Sequence, residues 1–174
     1  LPKDTPINTV TLDDPIQVKA TTVKNRLFKS AMSEQLGDRD NAPTRELIRL
    51  YATSAQGGTG LLVTGNVMID RTALGEPRNV VLDEQSDPAL FRRWVEAGTA
   101  NGTRLWMQLN HPGKQIPNLL SKEPVAPSAV ALGSGLEKTF NTPRALTEPE
   151  IKELIRRFGW AAGRAKDWGF DGVQ

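Results

Sequence analysis

Apolar positions along the chain switch between two spacings, and the switches mark the elements. Thr9 to Val23 reads as short β-rich pieces around Asp13-Asp14-Pro15, which predicts a hairpin region within residues 1–23. Arg26 to Met32 is a compact apolar segment and predicts the first main strand. After a polar loop, Leu47, Leu50, Tyr51 and Ala55 fall at helical spacing, and Gly57-Gly58 supplies a helix stop. Gly60 to Gly65 is continuously apolar, the pattern of a strand buried on both faces. The unit then repeats. Asp87-Pro88 pairs an N-cap with a first-turn proline, Leu90, Phe91, Trp94 and Val95 make an inward stripe, and Asn101-Gly102 ends the helix. Arg104 to Leu109 predicts a third strand, with Trp106 and Met107 as core and helix-packing residues. Residues 111–146 are rich in Pro, Gly, Ser and Asn, and a loop of that length in a compact domain usually carries function. Thr147-Glu148-Pro149-Glu150 has the form of a capping box. Ile151, Leu154, Ile155, Phe158, Ala162 and Ala165 continue the stripe, Trp168-Gly169 stops it, and Phe170 to Gln174 begins a fourth strand.

Strands alternating with helices predict an α/β fold with a parallel sheet, either an open doubly wound sheet or a (β/α)8 TIM barrel. An open dinucleotide-binding sheet should carry G-x-G-x-x-G after its first strand. Ser33-Glu34-Gln35-Leu36-Gly37-Asp38 stands there instead, and no phosphate-binding loop occurs elsewhere. The barrel is therefore favoured, with this chain covering roughly the first four β/α units. The numbering starts at Leu1, and the last residues stop as a strand begins, so the chain is expected to be half of one barrel domain.

Composition narrows the chemistry. The 174 residues contain no cysteine and one histidine, which excludes disulfides, thiolate metal sites, a thiol nucleophile and a histidine pair. A pI near 9.1 looks basic, but the net charge is only +2, from 22 Lys+Arg against 20 Asp+Glu, and the charges are interspersed. No basic stripe forms, so nucleic acid is not an expected partner. No apolar run is long enough for a membrane span and residues 1–15 lack a signal-like core, so a cytoplasmic chain is expected.

In a βα barrel, functional groups sit at the carboxyl ends of the strands. Those positions here are Ser30 to Glu34, Thr64 to Asn66 and Gln108 to Lys114: hydroxyls, amides, one imidazole and few carboxylates. The set is poor in acid/base pairs and holds no metal-ligand cluster. It suits hydrogen bonding to a neutral, planar, heteroatom-rich ligand.

The motifs become specific when taken in order. Lys24-Asn25-Arg26-Leu27-Phe28-Lys29-Ser30-Ala31-Met32, Gly57 to Gly65, Gln108-Leu109-Asn110-His111-Pro112-Gly113-Lys114, Ala126-Pro127-Ser128 and Ala161 to Val173 run collinearly. Together they resemble the N-terminal half of the old yellow enzyme family of FMN-dependent ene-reductases. The resemblance implies FMN as cofactor and NAD(P)H as hydride donor, with hydride passing through flavin N5 to the β-carbon of an enone or enal. It implies flavin contacts from Ser30, Ala31, Met32 and Ser33, from Gly65 and Asn66, and from Gln108. The carboxamide of Gln108 can donate and accept at once, as the flavin pyrimidine edge requires. Gln35 occupies a position where some members contact substrate. Ala31 replaces the family's common proline, and Lys114 stands where the family carries arginine and reads as a solvated charge. His111 reads as a local hydrogen-bonding group, and Tyr51, the only tyrosine, lies on a helix away from a proton donor's place. The substrate-gripping pair, the proton-donating tyrosine and the phosphate site fall beyond this sequence. No catalytic residue is thus expected within the chain, and a second polypeptide carrying the C-terminal half is expected as partner. The alternative is a non-catalytic half-barrel that self-associates, with FMN binding lost or vestigial.

Overall fold

The computed structural model describes residues 9–174, so the first eight residues of the expected hairpin region lie outside the described part. Ile16–Val18 (β1) and Thr21–Val23 (β2) pair antiparallel, Ile16 opposite Val23, with Lys19 at the turn in the left-handed region (φ 51°). Arg104 Nε donates to the Thr22 carbonyl (3.2 Å) and Lys24 Nζ to that of Asn101 (2.6 Å). A side chain at Gly60 would strike Asn25 and Val23. The hairpin therefore lies against the N-terminal ends of the parallel strands.

Those strands are Phe28–Lys29 (β3), Leu61–Met68 (β4), Arg104–Asn110 (β6) and Gly172–Val173 (β9), ordered β3-β4-β6-β9 with every pairing parallel; Val80–Val81 (β5) adds to the far end of β4. The first strand is shorter than the apolar run Arg26–Met32 predicts. Among the described residues it has a neighbour on one side only, and beyond Lys29 the chain leaves the sheet to cross towards β4.

The helices begin where their caps dictate. The Thr44 hydroxyl accepts from Leu47 N (3.2 Å) to start Arg45–Gln56 (α1), and the Asp87 carboxylate accepts from Ala89 N (2.8 Å) to start Pro88–Gly98 (α2). The second helix stops three residues before the expected Asn101-Gly102. Gly98 packs under Leu105 where a Cβ would come within 2.7 Å of it, and a 3-10 turn at Ala100–Gly102, with Asn101 left-handed (φ 58°), leads into β6. Glu148–Trp168 (α3) is preceded by Thr147, whose N–H (2.7 Å) and hydroxyl (2.8 Å) both donate to Glu150, and Gly169 closes it at φ 103°. Within residues 111–146, Val125–Ala126 (β7) pairs with Arg144–Ala145 (β8).

One face of the sheet meets the helices. Leu62, Val67, Leu105 and Met107 pack there against Leu47, Tyr51 and Ala55 of α1, Phe91 and Trp94 of α2, and Ala161, Ala165 and Trp168 of α3. An aromatic chain ties the layer: Tyr51 to Trp94 at 5.2 Å, Trp94 to Phe170 at 5.8 Å and Phe91 to Trp168 at 5.0 Å, the first two edge to face. Two expectations from spacing fail. Leu50 is not part of the buried stripe, and Ile151, Ile155 and Phe158 in the first half of α3 are exposed, Ile155 by 66%. Helical spacing alone does not say whether a face has a neighbour, and among the described residues nothing buries this one.

Candidate functional site

The register of β4 against β6 decides what faces away from the helices. Leu61 pairs with Arg104 and Val63 with Trp106, but then Asn66 pairs with Gln108 and Met68 with Asn110. Three steps along β4 match two along β6, so a bulge lies at Thr64–Gly65. Side chains alternate in a strand, and one extra residue moves every later side chain to the other face. The bulge thus turns Asn66 onto the side of Gln108, opposite the buried face that holds Val67 and Met107.

The bulge is fixed by its own residues. The buried Thr64 hydroxyl accepts from Gln108 N (2.9 Å) and donates to the Gly65 carbonyl (2.8 Å). Gly65 N donates to the Tyr51 hydroxyl (3.0 Å), and a Cβ at Gly65 would collide with the Met32 carbonyl and the Glu34 carboxylate. Only glycine lets the chain after β3 approach β4 this closely.

Carboxamides then line this side of the sheet. Asn110 Nδ2 donates to Asn66 Oδ1 (2.9 Å), and Gln108 Nε2 donates to Gln174 Oε1 (2.9 Å). Backbone pairing continues directly after β9, with Gln174 N donating to Met107 O (2.8 Å) and Leu109 N to Gln174 O (3.0 Å). Asn66 on β4, Gln108 on β6 and Gln174 directly after β9 therefore lie side by side across three adjacent parallel segments. Sequence reading anticipates the first two. It sets Thr64 and Asn110 among the strand-end positions without the roles that register gives them, and it does not single out Gln174, which directly follows the Ala161–Val173 motif.

The residues after β3 flank this row. Ser30, Met32 and Ser33 are exposed and Ala31 is partly buried. The Met32 carbonyl meets Gly65, which joins this segment to the bulge. The Ser33 hydroxyl hydrogen-bonds Glu76 and also accepts from Asn79 Nδ2 (3.4 Å), so it is engaged by the loop after β4. Gln35, left-handed at φ 52°, lies beside Gly65, Asn66 and Arg78.

Two other expectations, for Trp106 and Lys114, meet the structure differently, while that for His111 agrees with it. Trp106 is only partly buried, and its indole lies over Gly172, where a Cβ would come within 2.8 Å of Nε1; Met107 alone of the pair is core. Lys114 is not a free solvated charge, since its Nζ donates to the carbonyl of Val130 (3.0 Å) and so ties down the long loop. His111 bonds locally, its Nδ1 accepting from Gly113 N (3.1 Å), and burial pushes its pKa below the ordinary imidazole value. The Tyr51 hydroxyl is driven far above its ordinary range by burial and then by the Glu34 charge, so it holds its proton. No cluster of metal-ligating side chains occurs among the described residues, and none of their helices is long and apolar enough to cross a membrane.

Comparison with known proteins gives the frame for this geometry. The sequence pattern of the NADH:flavin oxidoreductase / NADH oxidase family matches residues 11–174. The chain belongs to that family. It is 34% identical over 171 residues to the NADH-dependent flavin oxidoreductase iliE of Hypocrea jecorina, covering 88% of this chain and 42% of that protein. It is 36% identical over 165 residues to the NADH-dependent flavin oxidoreductase nadA of Aspergillus parasiticus, covering 86% of this chain and 37% of that one. Among solved structures, an old yellow enzyme homologue from Zymomonas mobilis superposes with a TM-score of 0.80 at 29% identity, over 94% of this chain and 47% of its own. A morphinone reductase in complex with tetrahydroNAD superposes at 0.82 with 28% identity, over 95% and 48%. The chain thus spans about two fifths of the length of these curated relatives and about half of these solved barrels. Its fold is part of a (β/α)8 barrel, and the family's cofactor is FMN with NAD(P)H as hydride donor.

The donor set fits such a cofactor. A flavin's pyrimidine edge alternates carbonyl oxygens with N–H, and a row of carboxamides that each donate and accept can match it. Asn66, Gln108 and Gln174 supply that row, and the exposed segment Ser30–Ser33 supplies polar backbone groups beside it.

Proposed function

We propose that this chain is the N-terminal half of an FMN-dependent oxidoreductase whose acceptor is an activated alkene, an enone or enal. The observation that carries the reading is the bulge at Thr64–Gly65, which brings the Asn66 and Gln108 carboxamides onto one side of the sheet. When bound, FMN supplies relay of a hydride from NAD(P)H to the β-carbon of the alkene. Gln108 holds the pyrimidine edge, with its contact to Gln174 giving way to the ring, and Asn66 is steadied beside it by Asn110. Gly65 and residues 30–33 bring backbone groups to the cofactor, and Gln35 lies where a substrate contact would stand.

Among the described residues, neither Tyr51 nor His111 is placed to grip the alkene's carbonyl or to protonate its α-carbon. Tyr51 is fully buried in the helix layer and keeps its proton, and His111 is tied to Gly113. Those roles fall to the part of the barrel outside this sequence, which we place in a C-terminal half carried by a second polypeptide. Exposed apolar side chains at the borders of the fold support this: Phe28 on β3, Val173 on β9, and Ile151, Ile155 and Phe158 on α3.

The test is Gln108→Ala in the completed barrel. FMN retention falls, by about tenfold in dissociation constant for the loss of a paired amide contact, while circular dichroism is unchanged. Unaltered flavin content and unaltered reduction by NAD(P)H contradict the assignment.

A further inference from the structure

We infer that Lys29, Glu34 and Tyr51 are positioning residues of the flavin site: a buried relay that holds the segment after β3 against the Thr64–Gly65 bulge. The inference rests on the flavin reading and deepens it. The three side chains come from β3, the following segment and α1. Lys29 Nζ donates to Glu34 Oε1 (3.1 Å), to the Val63 carbonyl (3.3 Å) and to the Tyr51 hydroxyl (3.4 Å), and stands 5.0 Å from the centre of the Tyr51 ring. The Tyr51 hydroxyl donates to the same Glu34 oxygen (2.7 Å) and accepts from Gly65 N (3.0 Å). One hydroxyl thereby joins a carboxylate on the segment after β3 to the backbone of the bulge.

Burial makes this arrangement unlike a surface ion pair. The side chains of Lys29 and Glu34 are 14% and 11% exposed. A buried pair gives back much of its attraction as desolvation, so its net contribution to stability is small, while loss of one partner leaves an uncompensated charge. What such a pair does supply is a single geometry. Glu34 cannot leave Lys29 and Tyr51, and its fixed place keeps the Met32 carbonyl on Gly65. The Gly65 N–H is held towards the helix layer, so the bulge cannot slip and Asn66 stays opposite Gln108. The relay therefore acts on the cofactor through backbone, at one remove.

The experiment compares Tyr51→Phe, Glu34→Gln and the double variant Lys29→Met/Glu34→Gln with the parent in the completed barrel, with Gln108→Ala as reference. Four quantities are read: the FMN dissociation constant, the visible absorption of bound flavin, hydrogen exchange of the Gly65 amide without flavin, and the thermal midpoint without flavin. Tyr51→Phe, which removes a single oxygen, is expected to speed Gly65 exchange and weaken FMN binding about tenfold. The double variant removes both charges and is expected to recover the thermal midpoint lost in Glu34→Gln while the flavin spectrum stays shifted. A purely structural role predicts instead that affinity and spectrum recover with the midpoint, and that result overturns the inference. Parental affinity, spectrum and Gly65 exchange in Tyr51→Phe overturn it as well, including when Glu34→Gln fails to fold. If Gln108→Ala weakens FMN binding and the relay variants do not, this inference alone falls; if the parent binds no FMN, the flavin reading falls and takes it along.

Discussion

At the scale of single residues, the site depends on side chains whose value lies in what they permit the backbone to do. Gly65 is the clearest. Adding one methyl would drive it into the Met32 carbonyl and the Glu34 carboxylate, both fixed by neighbours, so Gly65→Ala should cost about 1–3 kcal/mol in chemical denaturation and weaken flavin binding together. Thr64→Val keeps the shape but leaves Gln108 N–H without its acceptor, and should cost about 1–3 kcal/mol by the same measurement. His111 offers a pH test free of overlap, because it is the only histidine. Burial favours its neutral form in the fold, outweighing the Asp70 charge that opposes the shift, and nearby Arg157 adds to the lowering. The unfolded chain therefore takes up the proton first. Stability is full above the ordinary imidazole value of about 6.5 and declines as pH falls through it. Thermal midpoints measured from pH 8 to 5 should fall in the parent and flatten in this window in His111→Gln.

At the scale of elements, caps and punctuation made much of the architecture legible. Asp87 and Thr147 start α2 and α3, Gly169 ends α3, and the apolar runs at Gly60–Gly65 and Arg104–Leu109 fall largely in the two long strands, whereas the Thr44 cap of α1 was not singled out. Lateral position was not legible. The segment Arg26–Met32 has strand composition throughout, yet only Phe28–Lys29 pair, because pairing depends on how many neighbours a strand has. The stripe on α3 likewise gives no sign that its first half lies bare. The bulge was hidden for a related reason: Thr64 and Gly65 suit a regular strand as well as an irregular one, and only the register with β6 reveals the extra residue. Glu150 at the start of α3 gives a prediction for an element. Hydrogen bonds from Arg144 and then from Thr147 hold its carboxyl down to about 2, below the ordinary 4.5. Its support of the helix start is present above the ordinary value and is lost as pH falls towards 2. Acid titration followed by helical circular dichroism should show an earlier loss in Glu150→Gln than in the parent.

At the scale of the whole molecule, the described fold is a five-stranded parallel layer with helices on one side and a polar row on the other. Its borders carry Phe28, Val173 and the bare face of α3. We expect these to be covered by the C-terminal half of the barrel, so mixing the two halves should give a one-to-one complex by light scattering and bury the Val173 side chain. A homodimer that is indifferent to the other half would instead favour the self-associating alternative. The claim on which the account turns is narrower: an amide on β6, aligned by a bulge on β4, reads the polar rim of a flavin. The most direct measurement is binding of FMN against its N3-methyl analogue, which blocks that rim and leaves the rest of the ring intact, in the completed barrel and in Gln108→Ala. The account predicts that the parent prefers FMN by about tenfold or more and that Gln108→Ala largely loses the preference. Equal binding of the two flavins by the parent, or a preference that survives in Gln108→Ala, would contradict it.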